Sequence, residues 1–170
     1  ELKTVELDGV LLNENEYAVS KTSLTVFSVP DEFTLTTCVV IHPELNKSFM
    51  GLYKSRTNFC TQCEAEGFRK ITYFFDRPDV MTKFTTTIRA NKDNYPFLLS
   101  NGNCIQRTDL ADGRHEVVWE DPSLKPCYLF ALVAGDFDLI EDTFVTMSGR
   151  TVALEFFLER GFRDQGFFCC

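Results

Sequence analysis

Histidine is nearly missing from this sequence: His42 and His115 are the only two. The stock of neutral-pH bases and imidazole metal ligands is correspondingly small. Basic side chains are also scarce, 17 Lys and Arg against 25 Asp and Glu, for a net charge of −8. The basic footprint of a nucleic-acid binder is therefore absent. No long hydrophobic run exists. The longest candidate, Tyr128 to Ala134, covers seven residues, whereas a membrane-spanning helix needs about 20. The opening ELKTVELDGV lacks the charged-then-apolar order of a secretory signal. Extended helical periodicity is hard to find, and no P-loop, Gly-rich dinucleotide motif or G-x-S-x-G elbow is present. What remains is an ordinary globular composition, 44% hydrophobic and 25% charged in 170 residues. That length suits one domain with a short remainder at most.

Phenylalanine and cysteine are plentiful, at 17 and seven residues. Cys38, Cys60, Cys63, Cys104, Cys127, Cys169 and Cys170 are odd in number and irregularly spaced, so they outline no disulfide framework. In a chain able to build its own core they read as small buried hydrophobes in a reducing compartment, with the cytoplasm as the expected location.

Strand signals recur at short intervals. Lys3 to Leu7 alternates, and Asp8-Gly9 offers a tight hairpin turn before Val10. Tyr17 to Ser20, Ser23 to Val29 and the β-branched Phe33 to Ile41 follow. Lys83 to Ala90 places Phe84, Thr86, Ile88 and Ala90 on one face. Phe97 to Ser100 runs into Asn101-Gly102, a second hairpin signal. Arg114 to Trp119 and Tyr128 to Ala134 flank a predicted loop, Glu120 to Pro126, and Thr151 to Leu158 supplies a last strand. A single helical turn is predicted at about Glu66 to Phe75. The acidic Gly135 to Asp142 breaks the pattern and reads as a surface loop or a domain boundary. The fold class is all-β, an antiparallel sandwich or open pair of sheets. Strand-like sequence at the start and the apolar Phe167-Phe168-Cys169-Cys170 at the end suggest a fragment.

Several residue groups resemble chemistry without completing it. His115-Glu116-Val117-Val118-Trp119 misses the zinc motif H-E-x-x-H, which needs histidines at i and i+4 of a helix. His42 has no obvious partner. Cys60 and Cys63 form a lone C-x-x-C; structural zinc needs a second pair and redox work a βαβ setting, so two partly buried thiols are the simpler reading. Asn46-Lys47-Ser48 is a sequon of the kind found by chance, and Asn101-Gly102 needs no chemistry. Glu64 and Glu66, if extended, would share a face about 7 Å apart, within reach of an inverting glycosidase pair. Hydrolases usually take that pair from separate strands. A fixed carboxylate beside the Gln62 amide suits an ammonium group better, offering charge and a neutral acceptor together. From composition alone, a solvated acidic turn accounts for the same residues.

The run FCTQCEAEGFRKITYFFDRPDVMTKFTTTIRA from Phe59 to Ala90, the preceding SFMGLYKS, and the later YPFLLSNGN and VWEDPSLKPCYLFALVAGDFD closely resemble the N-terminal domain of the bacterial aminopeptidase N family, the alanyl-type zinc metalloaminopeptidases. The segments come in the family's order and spacing, from Lys3 to Glu159.

The resemblance implies a β-saddle domain that packs on a thermolysin-like catalytic domain of the same chain and closes one side of its active site. It also implies that the Q-x-E here, Gln62 and Glu64, contacts the free α-amino group of a peptide substrate. Glu66 lies outside that pair. Residues 1–136 would be the saddle domain, its first strands missing, and 137–170 the opening strands of the catalytic domain. The family's G-A-M-E-N motif and its H-E-x-x-H helix are absent, so the zinc of the parent enzyme would not be held by this stretch, which would be inactive alone. The alternative is a stand-alone β-sandwich binding or scaffold module in which Gln62 and Glu64 are a surface turn.

Overall fold

The computed structural model describes residues 1–163; the apolar ending Phe167 to Cys170 lies outside the described residues. The strands are β1 (Leu2–Leu7), β2 (Val10–Leu11), β3 (Tyr17–Val19), β4 (Leu24–Val26), β5 (Leu35–Val39), β6 (Gly51–Ser55) and β7 (Asn58–Gln62). After them come β8 (Thr82–Asn91), β9 (Phe97–Ser100), β10 (Asn103–Asp109), β11 (Arg114–Lys125), β12 (Leu132–Gly135), β13 (Phe137–Val145) and β14 (Thr151–Glu159). Three sheets, ordered β2-β1-β5, β10-β11-β8 and β6-β7-β12-β9, and two hairpins, β3-β4 and β13-β14, account for them. All pairings are antiparallel. The all-β expectation holds.

Two of these sheets make the main core. Ile88 of β8 and Val117 and Trp119 of β11 meet Leu98 of β9 and Ala134 of β12, with Phe59 of β7 packed alongside. The alternation in β8 has the predicted phase: Lys83, Thr85, Thr87 and Arg89 are exposed and Ile88 is buried. Trp119 satisfies its indole N–H by donating to the Leu98 carbonyl at 3.0 Å, which ties one sheet to the other. A second cluster at one end holds Cys63, Phe68 and Cys127, with Phe74, Phe84 and Phe130 around them. The Phe68 ring meets Phe74 and Phe130 edge-on at 5.1 Å.

The Asp8-Gly9 turn forms as predicted, both residues having positive φ, 50° and 80°. Asn101-Gly102 is a turn of another kind. β9 pairs with β12 and β10 with β11, so the chain changes sheets there instead of folding back as a hairpin. Gly102 has φ of 86°, and a Cβ would stand 2.1 Å from the Glu120 carbonyl; only glycine permits that approach. Asn101 donates to the Leu129 carbonyl and accepts from the Ala131 N–H, holding the corner.

Three further expectations are corrected. The predicted loop Glu120 to Pro126 is mostly strand, because β11 continues to Lys125 through a register shift between Asp121 and Lys125 that absorbs Pro122. The helical turn near Glu66 to Phe75 shrinks to a 3-10 turn, Phe68–Lys70, and two more occur at Pro43–Leu45 and Cys127–Leu129. Gly135 to Asp142 is no loop: β12 ends at Gly135, and Phe137 opens a nine-residue strand paired with β14. Phe137 and Ile140 are buried, Asp138 is half-buried, and Glu141 and Asp142 are exposed.

Candidate functional site

Strand β7 delivers Gln62 to the surface from the middle of a sheet. It pairs with β6 through Gly51 opposite Gln62, and with β12 through Cys60 opposite Val133. At its base Asn58 is buried and accepts from the Asp136 N–H, while Thr61 Oγ1 accepts from the Leu132 N–H at 2.9 Å. Immediately after Gln62 the chain dives and emerges. Cys63 is buried at 3% exposure, whereas Glu64, Ala65 and Glu66 are all exposed. The Gly67 N–H donates to the Cys63 carbonyl at 2.7 Å and closes the turn; the Glu64–Ala65 peptide is cis.

Within the turn, Gln62 Nε2 donates to the Glu64 backbone carbonyl at 3.1 Å. That bond leaves Gln62 Oε1 free, among the described residues, as an acceptor on the same short segment as the Glu64 carboxylate. Among the described residues Glu64 makes no salt bridge, while Glu66 Oε1 lies 3.4 Å from Arg69 Nη2. The turn therefore offers one unpaired carboxylate and one amide oxygen, and its neighbouring carboxylate is occupied. Such a set suits a small cation with several N–H donors.

The downstream leg is held from below. The Arg69 N–H, unpaired within its own 3-10 turn, donates to Asp76 Oδ2 at 3.0 Å, and Arg69 Nε reaches the same oxygen at 3.0 Å. Cys127 Sγ donates to Asp76 Oδ1 at 3.0 Å. Burial pushes the Asp76 carboxyl up, but these bonds from Cys127 and Arg69 outweigh it and leave the group below its ordinary value. Burial, with Asp76 beside it, pushes the Cys127 thiol up to about 12; burial raises Cys63 to about 11.

The Peptidase M1 N-terminal domain family matches residues 4–129. The chain belongs to this family. It is 52% identical over 164 residues to aminopeptidase N of Escherichia coli strain K12, an alignment covering 95% of this chain and 19% of that protein. It is 59% identical over 131 residues to aminopeptidase N of Haemophilus influenzae, covering 77% of this chain and 15% of that one. Among solved structures, Legionella pneumophila aminopeptidase A in complex with aspartic acid superposes with a TM-score of 0.90 at 38% identity, over 94% of this chain and 19% of that chain. An M1 zinc metallopeptidase of Deinococcus radiodurans shares the fold at 15% identity and a TM-score of 0.70. The chain spans about a fifth of the length of the curated relatives named here.

Against this M1 N-terminal domain the other sequence candidates are structural. His115 is buried in β11, where its Nε2 donates to the Tyr95 carbonyl at 2.7 Å, and Glu116 pairs with Arg89. His42 is exposed beside Glu44. Asn46 spends its side-chain amide on the Met50 and Leu52 carbonyls, so the sequon nitrogen serves the fold. Cys60 is part-buried and Cys63 buried, and Cys38 is exposed, contrary to the expectation of a core thiol. Glu64 and Glu66 sit in a turn, so the extended geometry a glycosidase pair would need does not arise. Among the described residues no group of three or more His, Cys, Asp and Glu could hold a metal ion, and no helix is long and apolar enough to cross a membrane. Sequence reading missed Asp76, Arg69 and Cys127 as a cluster; Asp76 and Cys127 are 51 positions apart, and no local pattern joins them.

Proposed function

We propose that this chain is the amino-terminal part of a zinc-dependent aminopeptidase that removes N-terminal amino acids from peptides, and that Gln62 and Glu64 anchor the free α-amino group of the substrate. The observation that carries this reading is the turn itself: a Glu64 carboxylate unpaired among the described residues and a Gln62 amide pinned by its own hydrogen bond to the Glu64 carbonyl. An α-ammonium brings three donors and a positive charge, which that pair complements. Exposed ion pairs contribute only about 0–1 kcal/mol, so anchoring needs a second surface to desolvate the turn. The catalytic domain of the same chain would supply it. Residues 1–136 would form the saddle domain and 137–170 the first strands of its neighbour, whose body would cover the exposed Phe144, Val145 and Met147.

The described residues do not fit a zinc site. The metal of such an enzyme would be bound by other residues, and the part proposed for this chain is recognition, without turnover on its own. Peptide would be its only external partner, with neither nucleic acid nor membrane involved. The free thiols among the described residues suit a reducing compartment and support our reading of a cytoplasmic enzyme.

The test is hydrolysis of alanyl p-nitroanilide by the full-length protein. Glu64→Ala is expected to lower kcat/KM by roughly 10- to 100-fold, the value of a charge-assisted hydrogen bond. Unchanged kcat/KM would overturn the assignment and favour a plain surface turn.

A further inference from the structure

Two carboxylates are deeply buried among the described residues, Asp76 and Asp121, and the amine-anchoring reading does not use the first of them. The Asp76 side chain is 4% exposed, yet every bond it makes leads to one side or the other of the Gln62–Glu64 turn. Oδ2 takes the backbone and side-chain N–H of Arg69, two residues beyond Gly67, and the Asp76 carbonyl takes Arg69 Nη2 at 2.9 Å. Oδ1 takes the thiol of Cys127, in the 3-10 turn that leads into β12, the strand paired with β7. Cys63, directly after Gln62, packs against Cys127 and Phe68 in the same cluster. A buried carboxylate is costly unless fully partnered. Here it is partnered only while Arg69 on the downstream leg and Cys127 before β12 keep their places.

We propose that Asp76 is the positioning residue of the amine-anchoring turn, its carboxylate clamping the downstream leg through Arg69 to the β12 segment through Cys127 and so setting where Gln62 and Glu64 present their acceptors. The inference rests on the amine-anchoring role proposed above. Asp76 touches no substrate. Its effect is confined to how well the amine is met, because misplacing an acceptor by a fraction of an ångström weakens a charged hydrogen bond while leaving contacts to the rest of a ligand intact.

The experiment compares competitive inhibition of the full-length enzyme by alaninamide, which carries the free amine, and by propionamide, which lacks it. Asp76→Asn is expected to lower the preference for alaninamide about tenfold with propionamide unchanged. It should cause no further loss when added to Glu64→Ala. Cys127→Val, which removes the donor to Asp76, should act in the same direction, and Cys127→Ser, which keeps one, should restore the preference. If Asp76→Asn fails to fold, as thermal melting would show, the Cys127 pair carries the same comparison. Glu64→Ala that leaves the preference intact would overturn the amine-anchoring reading itself. A loss with Glu64→Ala but none with Asp76→Asn and Cys127→Val would overturn only the positioning role. Equal weakening of both inhibitors would also overturn it, since that is general damage to the fold.

Discussion

Gly67 lies so close to Gln62 that a Cβ on the glycine would stand 2.2 Å from the Gln62 carbonyl oxygen, and 2.9 Å from Cys63 Cα. Its φ is −84°, an ordinary value, so the demand for glycine comes from contact and not from backbone conformation. Both obstructing atoms are main chain, and neither can swing away. Gly67→Ala is therefore expected to destabilise the fold by about 1–3 kcal/mol, as overpacking does. Urea unfolding of the isolated chain reads this directly; an unchanged midpoint would mean the turn has slack that the geometry does not show.

Leu98 is fully buried where the two main sheets meet. Leu98→Ala should cost about 2–5 kcal/mol through lost transfer energy and the cavity left behind. The same denaturation experiment measures it. The adjacent Trp119–Leu98 hydrogen bond uses the backbone carbonyl and survives the change.

The Asp76 carboxyl is held below its ordinary value in the folded protein. The unfolded chain then binds a proton more readily than the native one as pH falls through the carboxylate range, and stability drops with it. The contribution is fully present above about pH 4, the ordinary Asp value, and is lost as pH falls through the depressed native value. Asp76→Asn should lower stability at pH 7 and flatten this part of the acid limb. Unfolding free energies at intervals from pH 7 to pH 3 would check the slope.

Thiol reactivity should divide by environment. Cys63 and Cys127, raised to about 11 and about 12 and both buried, are expected to stay unlabelled by iodoacetamide at pH 8 in the native state. Cys38, exposed on β5, should label within the same exposure. Peptide mass spectrometry before and after denaturation distinguishes the two classes, and rapid native labelling of Cys63 would show that the turn opens.

Much of the fold is legible in residue order because the strand period is short and local. The phase of β8 follows from Phe84, Thr86, Ile88 and Ala90, and the Asp8-Gly9 turn from the two residues that tolerate positive φ. Reading fails where a local signal has two structural outcomes. Asn101-Gly102 is a turn in either case, but whether its strands pair with each other depends on β12 and β11. Pro122 looks like a strand breaker until a register shift accommodates it against β8. In the candidate site, the chemistry of Gln62 and Glu64 is visible in sequence as an amide beside a carboxylate, and their singling out over Glu66 comes from family resemblance. The structure adds a reason of its own: Glu66 faces Arg69 and Glu64 is unpaired among the described residues.

The sequence by itself determined the all-β class, the phase of β8 and the membership of the M1 N-terminal domain family, since each of these is written in neighbouring residues and their spacing. Only the tertiary structure decided which strands share a sheet, why Gly67 must be glycine, and that Asp76, Arg69 and Cys127 meet beneath the Gln62–Glu64 turn. Those contacts join residues up to tens of positions apart in sequence, and they form because a buried carboxylate must find its donors wherever the packed sheets place them.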